Sequence, residues 1–261
     1  MVRICFIGDI VGKPGRRAVA QHLYDLVDGR QVDLTIANCE NAAGGFGVTP
    51  AILKQLFAYG IDVLTSGNHI WDKREVLEVI ESERRLLRPA NYPPAQPGFG
   101  SVVVETAGGI PVAVLNLSGR VFMAPYDCPF RTADAVLPEL AEAAKVIIVD
   151  MHAEATSEKQ AMGYYLDGRA SAVIGTHTHI QTADERLLAG GTAYITDVGM
   201  TGPTESVIGV IKELALKRFL TLQRQKMETA SGRAHFSACI IEVDETTGRA
   251  HSIERLCLPD R

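Results

Sequence analysis

At 261 residues the chain has the length of one or two domains. With 46% hydrophobic and 22% charged residues it can bury a large core, which excludes a disordered chain. A net charge of −5 without a long run of lysines and arginines excludes a broad basic face for long nucleic acid, yet leaves room for a small anion at a local cationic site.

The opening MVRICFIGDI reads as a strand at Val2–Ile7 rather than a leader peptide, and no apolar run is long enough to span a membrane. Pro14 suits the first turn of the helix that follows, whose apolar face carries Val19, Leu23, Leu26 and Val27. Residues 33–37 form the next strand. Thr49 and Pro50 read as an N-cap and first-turn proline, Ile52, Leu53, Leu56 and Phe57 as the buried stripe, and Gly60 as the stop. A third strand lies at 62–65, and 73–87 reads as a helix with Val76, Leu77, Val79 and Ile80 inward. The Pro- and Gly-rich stretch 89–100 reads as loop. Ser101–Glu105 and 111–117 form a hairpin about Gly108 and Gly109. Residues 132–145 read as a helix with a kink or late start at Pro138, followed by a buried strand at 146–151. Ser157-Glu-Lys-Gln160 resembles a capping box opening a short helix. Strands at Ala172–Thr176 and 192–196, a helix at 205–223 and strands at 236–243 and 251–258 complete the chain. This mixture predicts a layered α/β fold, either one central mixed sheet or two stacked sheets with helices outside. Without repeats or low-complexity linkers, 1–261 reads as one domain.

The five cysteines, Cys5, Cys39, Cys128, Cys239 and Cys257, are scattered and never spaced CxxC. They read as small buried hydrophobes in a reducing compartment, the cytoplasm, rather than as a disulfide framework or zinc ribbon.

Residues of metal-binding type stand just beyond the predicted strands. Asp9 lies in IGDIVG, Glu40 and Asn41 in ANCENAAGG, Asn68 and His69 in TSGNHIWD, His152 in VIIVDMH, and His177 and His179 in IGTHTH. In open α/β sheets, ligands bind beyond the carboxyl ends of the strands. Taken singly, each has a bland reading: Asp9 and Asn68-His69 as turn residues, His152 as a satisfied core histidine. The HxH pair is sharper, because residues i and i+2 share one side of an extended chain. Five segments aiming ligand-type side chains at one edge outweigh the single readings and predict a metal centre.

The motifs GDIV, NCENA, GNHIWD, DMHAE and GTHTH, in that order over residues 9–179, resemble the calcineurin-like metallophosphoesterase superfamily. That order is D-x-H, G-D, G-N-H-D/E, a single His and G-H-x-H. Val11 stands where the superfamily has His, and Glu40, with Asn41 beside it, where it has a bridging Asp. These departures, with GNHxWD and NAAGGFG, resemble the YmdB-like branch of bacterial phosphodiesterases. The resemblance implies a four-layer β-sandwich flanked by helices and two metal ions per chain. Carried over residue by residue, it implies that Asp9 and His179 bind the first ion and that Glu40 bridges both. Asn68, His152 and His177 then bind the second, and Asn41 supplies the ligand that Val11 cannot. His69 is the non-ligand that meets the substrate.

Two cations about 3.5–4 Å apart can bind a phosphate and lower the pKa of a shared water, whose hydroxide attacks phosphorus. His69 would then protonate the leaving oxygen, or stabilise its charge if already protonated. The mixed oxygen and imidazole set accommodates iron, manganese or zinc; the resemblance favours iron. It also favours cyclic nucleotides, the 2′,3′-cyclic ones first, as substrate. Phosphomonoesters or phosphoproteins at the same site, and a nucleotide-sensing metal protein with little turnover, are the competing readings. The intact His69 argues against the sensor. The expected partner is a small phosphate ester, with no membrane and no long nucleic acid; a homo-oligomer stays open.

GDIVGKPG lacks Walker spacing. Gly44-Gly45-Phe46-Gly47 reads equally as a rim over the site or a plain turn, and Asp72 as an orienter of His69 or a helix cap. His22, His235 and His251 read as structural or solvated.

Overall fold

A computed structural model describes residues 1–260. Among the described residues, the first half holds β1 (Val2–Ile7), β2 (Asp9–Ile10), α1 (Gly12–Arg30), β3 (Leu34–Asn38), α2 (Pro50–Ala58), β4 (Val63–Thr65), β5 (Ser101–Glu105) and β6 (Pro111–Ser118). Then come α3 (Pro129–Ala143), β7 (Val146–His152), α4 (Thr156–Tyr165), β8 (Ala172–Thr176), β9 (Arg186–Leu187), β10 (Ala193–Ile195) and β11 (Met200–Pro203). The chain closes with α5 (Lys212–Thr221), β12 (Ala234–Val243) and β13 (Ala250–Pro259).

The strands form two sheets. One runs β2-β11-β12-β1-β3-β4 with β13 on β12; the other runs β5-β6-β7-β8-β10-β9. The central strands β1, β3 and β4, and likewise β6, β7, β8 and β10, are parallel. Parallel strands are covered on both faces, so their sequences run apolar almost without interruption. Alternation sorts the side chains into layers. Val2, Ile4 and Phe6 of β1 meet Val112, Val114, Val146 and Ile148 between the sheets. Cys5 and Ile7 pack outward on α1 and α2 through Val19, Leu23, Leu53 and Leu56. On the far side, Leu115, Leu117, Val149 and Met151 pack on α3 and α4 through Leu137, Leu140 and Met162. Three apolar interfaces separate four layers, helix–sheet–sheet–helix. Each fully buried aliphatic side chain contributes roughly 1.5–3 kcal/mol.

Several local expectations hold. Thr49 Oγ1 accepts from the Ile52 N–H at 3.4 Å, with Pro50 in the first turn of α2. The β5–β6 hairpin turns through Gly109, whose φ of 76° requires glycine.

Others are corrected. Residues 73–87 carry only a 3₁₀ turn at Arg74–Glu78, with Val76 and Ile80 buried and Leu77 exposed. Consecutive tight turns replace the helix there, and Arg85–Leu87 leave to bond Leu64 on the sheet edge. The 205–223 helix is present only as α5: Val207 and Val210 close a tight turn before it, and it buries only Ala215. α3 starts at Pro129, and Pro138 lies inside it. The Ser157–Gln160 capping box does not form: α4 starts at Thr156, which puts Ser157 inside its first turn, and the Glu158 carboxylate accepts from the Arg120 and Val121 N–H groups. Four cysteines are buried, but Cys257 is exposed. The strands β2, β9 and β11 span four residues or fewer, too short to show a period. Among the described residues, no helix is long and apolar enough to cross a membrane.

Register sets Asn38 beside Thr65 in one sheet and His152 beside Thr176 in the other, and stacking brings these ends together, with Thr65 Oγ1 donating to Asp150 Oδ2 at 2.5 Å.

Candidate metal centre

Asp9 lies in β2 itself, Glu40 and Asn41 two and three residues past Asn38, Asn68 three past Thr65, His152 at the end of β7, and His177 directly after β8. The ligand atoms of Glu40, His152 and His177 lie within 4.8 Å of one another. Around His152 Nε2 stand Asn68 Oδ1 at 3.0 Å, His177 Nδ1 at 3.1 Å and Glu40 Oε1 at 3.2 Å. Beside them, His179 Nε2 is 3.8 Å from Asp9 Oδ1 and 3.1 Å from the Asn41 amide nitrogen. Asn41 also donates to Glu40 Oε1 at 3.3 Å. Seven of the eight residues singled out by sequence thus form one contact network. The eighth, His69, is tied to it through its backbone, whose N–H donates to Glu40 Oε2 at 2.9 Å.

Surrounding contacts set the imidazole tautomers. Thr176 Oγ1 donates to Asp150 Oδ1 at 2.7 Å, so it accepts from His152 Nδ1–H at 3.0 Å and leaves Nε2 facing the cluster. His177 Nε2 lies 3.1 Å from Glu154 Oε2, which leaves Nδ1 inward. His179 Nδ1 donates to the Ile208 carbonyl at 2.9 Å, which leaves Nε2 inward. Acceptor atoms therefore face one another, and among the described residues Asp9 Oδ1 is buried without a hydrogen-bond partner. Facing acceptors with an orphaned carboxylate oxygen suit cations, so the donor set fits metal ions.

The electrostatics agree. Burial opposes ionisation of Glu40, yet His152 and the His69 N–H hold its carboxyl down at about 2. Burial likewise opposes the charged form of His152, but the Glu40 carboxylate raises it to about 9. Burial and the neighbouring His152 pull His177 down to about 3. The metal-free cluster thus keeps a proton on His152 where a cation would stand.

His69 differs from the histidines inside the cluster. Its Nδ1 lies 2.8 Å from Asp72 Oδ2, its ring meets Phe46 edge-on at 4.9 Å, and its side chain is 29% exposed. Asp72 therefore orients His69; the neighbouring 3₁₀ turn has no side-chain cap. A cavity of about 240 Å³ opens over the cluster. Gly45 and Phe46 form part of its rim, and Gly44, Gly45 and Gly47 all have positive φ. Val11 also lines it, against Gly209.

The model of the YmdB-like protein family matches residues 5–256. The chain belongs to that family. It is 48% identical to the 2′,3′-cyclic-nucleotide 2′-phosphodiesterase of Bacillus subtilis (strain 168) over 259 residues, covering 99% of this chain and 98% of that one. Among solved structures, a hypothetical protein from Thermus thermophilus superposes with a TM-score of 0.94 at 46% identity, covering both chains completely. A Mycoplasma pneumoniae protein described as a novel phosphatase gives 0.92 at 34%, covering 99% of this chain and 94% of that one.

Sequence reasoning missed several residues of this YmdB-like site. Glu154 and Asp150 flank His152 in DMHAE, so their nearness to a predicted ligand was the available signal. Asp150 accepts from Thr65 Oγ1 at 2.5 Å as well as from Thr176, and burial pushes its carboxyl up to about 7. The far cavity wall, Ile208, Val210, Glu228 and Thr229, comes from a segment with no recognisable motif.

Proposed function

We propose that this YmdB-like protein is a cytoplasmic, metal-dependent phosphodiesterase acting on cyclic nucleotides, 2′,3′-cyclic nucleotides first, with 1–261 working as a single domain. The observation that carries the reading is the cluster of facing acceptors beside an oriented histidine that is not among them. The full-length similarity to a protein named as a 2′,3′-cyclic-nucleotide phosphodiesterase supports the substrate class. Asp9, Asn41 and His179 would hold one ion, Asn68, His152 and His177 the other, with Glu40 shared. Asn41 takes that role by turning its amide, so that Oδ1 replaces the nitrogen now facing His179. Bound cations would neutralise phosphate charge and activate the attacking water. The oxygen and imidazole donors suit iron, with manganese or zinc as alternatives.

The chain's own residues do the rest. Asp72 accepts from His69 Nδ1–H, so Nε2 is the nitrogen left to hold a proton for the departing ribose oxygen. As the new P–O bond forms and the ester P–O bond breaks, that proton passes to the leaving oxygen. Phe46 limits the ring's freedom from the rim.

The test is metal analysis of freshly purified protein, with cyclic nucleotides, phosphomonoesters and a phosphopeptide as substrates. Two ions per chain and turnover of cyclic nucleotides are expected. Turnover of monoesters alone would replace this reading with the phosphatase one, and binding without turnover would replace it with the sensor.

A further inference from the structure

His177 has a backbone φ of 97°, a conformation that sterics make costly for any residue with a Cβ. Such a conformation persists only where the surroundings over-determine it. Two peptide planes meet at its Cα. The carbonyl of the first, Thr176 O, accepts from Lys159 Nζ at 3.0 Å. The amide of the second, Thr178 N–H, donates to Asp197 Oδ2 at 3.1 Å. Lys159 and Asp197 are themselves paired at 2.7 Å. Thr178 Oγ1 closes the ring, donating to Asp197 at 2.6 Å and accepting from Lys159 at 3.2 Å. The His177 N–H adds a tie to Asp9 Oδ2 at 3.2 Å. Orienting both planes sets φ and ψ of His177, and with them the direction of its Cα–Cβ bond, from which the imidazole reaches the cluster.

The pair is an expensive way to gain stability alone. Both side chains are essentially inaccessible, at 1% and 0% exposure, and desolvation offsets most of the attraction in a buried ion pair. Asp197 is anchored in turn, its Oδ1 accepting from the Gly199 N–H at 2.8 Å and its own N–H donating to Thr182 Oγ1 at 3.0 Å. All three ammonium protons have acceptors, and all three acceptors belong to this clamp.

We propose that Lys159 and Asp197 are positioning residues that lock the peptides on either side of His177 and so hold its Nδ1 beside His152 Nε2 for metal binding. The proposal rests on the reading of His177 as a ligand. Its test uses the full chain as Lys159→Met, as Lys159→Met/Asp197→Asn, as His177→Ala, and as the double variant combined with His177→Ala. The double variant leaves no unpaired buried charge, so it keeps the test alive if the single one fails to fold. Mn²⁺ affinity is measured by equilibrium dialysis with metal analysis, beside the melting midpoint of the metal-free protein. The clamp variants should lose about 10- to 100-fold in Mn²⁺ affinity. Adding His177→Ala to the double variant should cost little more, because the ligand is already misplaced. A folded double variant with wild-type Mn²⁺ affinity would overturn the proposal, whatever its melting midpoint, and leave the pair as a structural one. A wild type that takes up no Mn²⁺ would instead sink the metal reading and this proposal together. Those two outcomes are distinguishable, since only the second is visible without any variant.

Discussion

Gly67→Ala perturbs the site without removing a single polar group. The backbone of Gly67 lies outside the left-handed range, so alanine meets no φ penalty of that kind there. The obstacle is the His152 ring: a Cβ at Gly67 would stand 2.1 Å from both Cδ2 and Nε2 and 2.5 Å from Cε1. Ordinary carbon contacts are about 3.5 Å or longer, so ring and loop must separate by more than about 1 Å. The ring has little freedom to yield. It is fully buried, bonded through Nδ1 to Thr176 Oγ1 at 3.0 Å, and set edge-on against His177 at 4.7 Å. Displacing the loop instead carries Asn68 and His69 with it. Misplacing reacting groups by about 1 Å costs on the order of 10²-fold in rate, and overpacking a tight interior costs about 1–3 kcal/mol. Gly67→Ala should therefore lose metal, lower kcat/KM for a cyclic nucleotide by about 10²-fold or more, and melt earlier. Gly29→Ala is the control. Gly29 lies in α1 with nothing within 4 Å of its Cβ position. It should gain about 0.4–1 kcal/mol and keep wild-type turnover. Metal analysis, steady-state kinetics and thermal melting are read on both proteins. A Gly67→Ala protein with full metal content and wild-type kcat/KM would refute the claim that this loop fixes His152.

Three further outcomes are expected. His69→Ala should keep its metals but lose cyclic-nucleotide turnover by about 10²–10⁴-fold, with a smaller loss on bis-nitrophenyl phosphate, whose leaving group needs little protonation; equal losses would remove the proton-donor role. In the metal-free protein, burial opposes the charge on His152 but Glu40 outweighs it and raises the group from 6.5 to about 9, so that stability is fully present below about pH 6.5 and is lost as pH rises through about 9. The melting midpoint of chelator-treated protein should accordingly fall between roughly pH 6.5 and 9.5 and flatten once metal replaces the proton; a flat metal-free profile contradicts this. Thr49→Ala removes a cap whose bond to Ile52 N–H is long, at 3.4 Å, so it should cost only about 0.5 kcal/mol in stability and leave kcat unchanged.

Much of the fold is legible because its central strands are covered on both faces. VRICFI and VIIVDMH are near-continuous apolar runs for that reason, and Thr49-Pro50 marks α2 with a cap. The stretch 73–87 misleads because Val76, Val79 and Ile80 have helical spacing, yet the same spacing serves a chain of tight turns that later pairs with β4. Ser157-Glu-Lys-Gln160 misleads for a different reason. α4 begins one residue earlier, at Thr156, so Ser157 lies inside its first turn and cannot cap it, and Glu158 turns to two N–H groups from the loop after β6. Local pattern records what a residue favours and not which distant donor arrives first.

The same distinction divides the site. Its eight singled-out residues are readable because they follow the strands closely, so strand order within each sheet and the stacking of the two sheets bring them to one edge. Lys159 is not. In TSEKQ a lysine looks like a solvated helix residue, and Asp197, 38 positions later, supplies the opposite charge that makes its burial tolerable. Thr65 and Asp150, 85 positions apart, are the same case. Nor does any motif mark Ile208, Val210, Glu228 and Thr229, which line the cavity from either side of a helix that exposes Leu216, Phe219 and Leu220. On the proposed function, residues at strand ends would meet the phosphate common to all such esters, so the chemistry would constrain their types. The wall would meet whatever differs between esters, and among the described residues it is built from one aliphatic pair, one carboxylate and one hydroxyl whose Oγ1 is buried without a partner. Variation among substrates would therefore belong to the wall, where a single sequence carries the least signal.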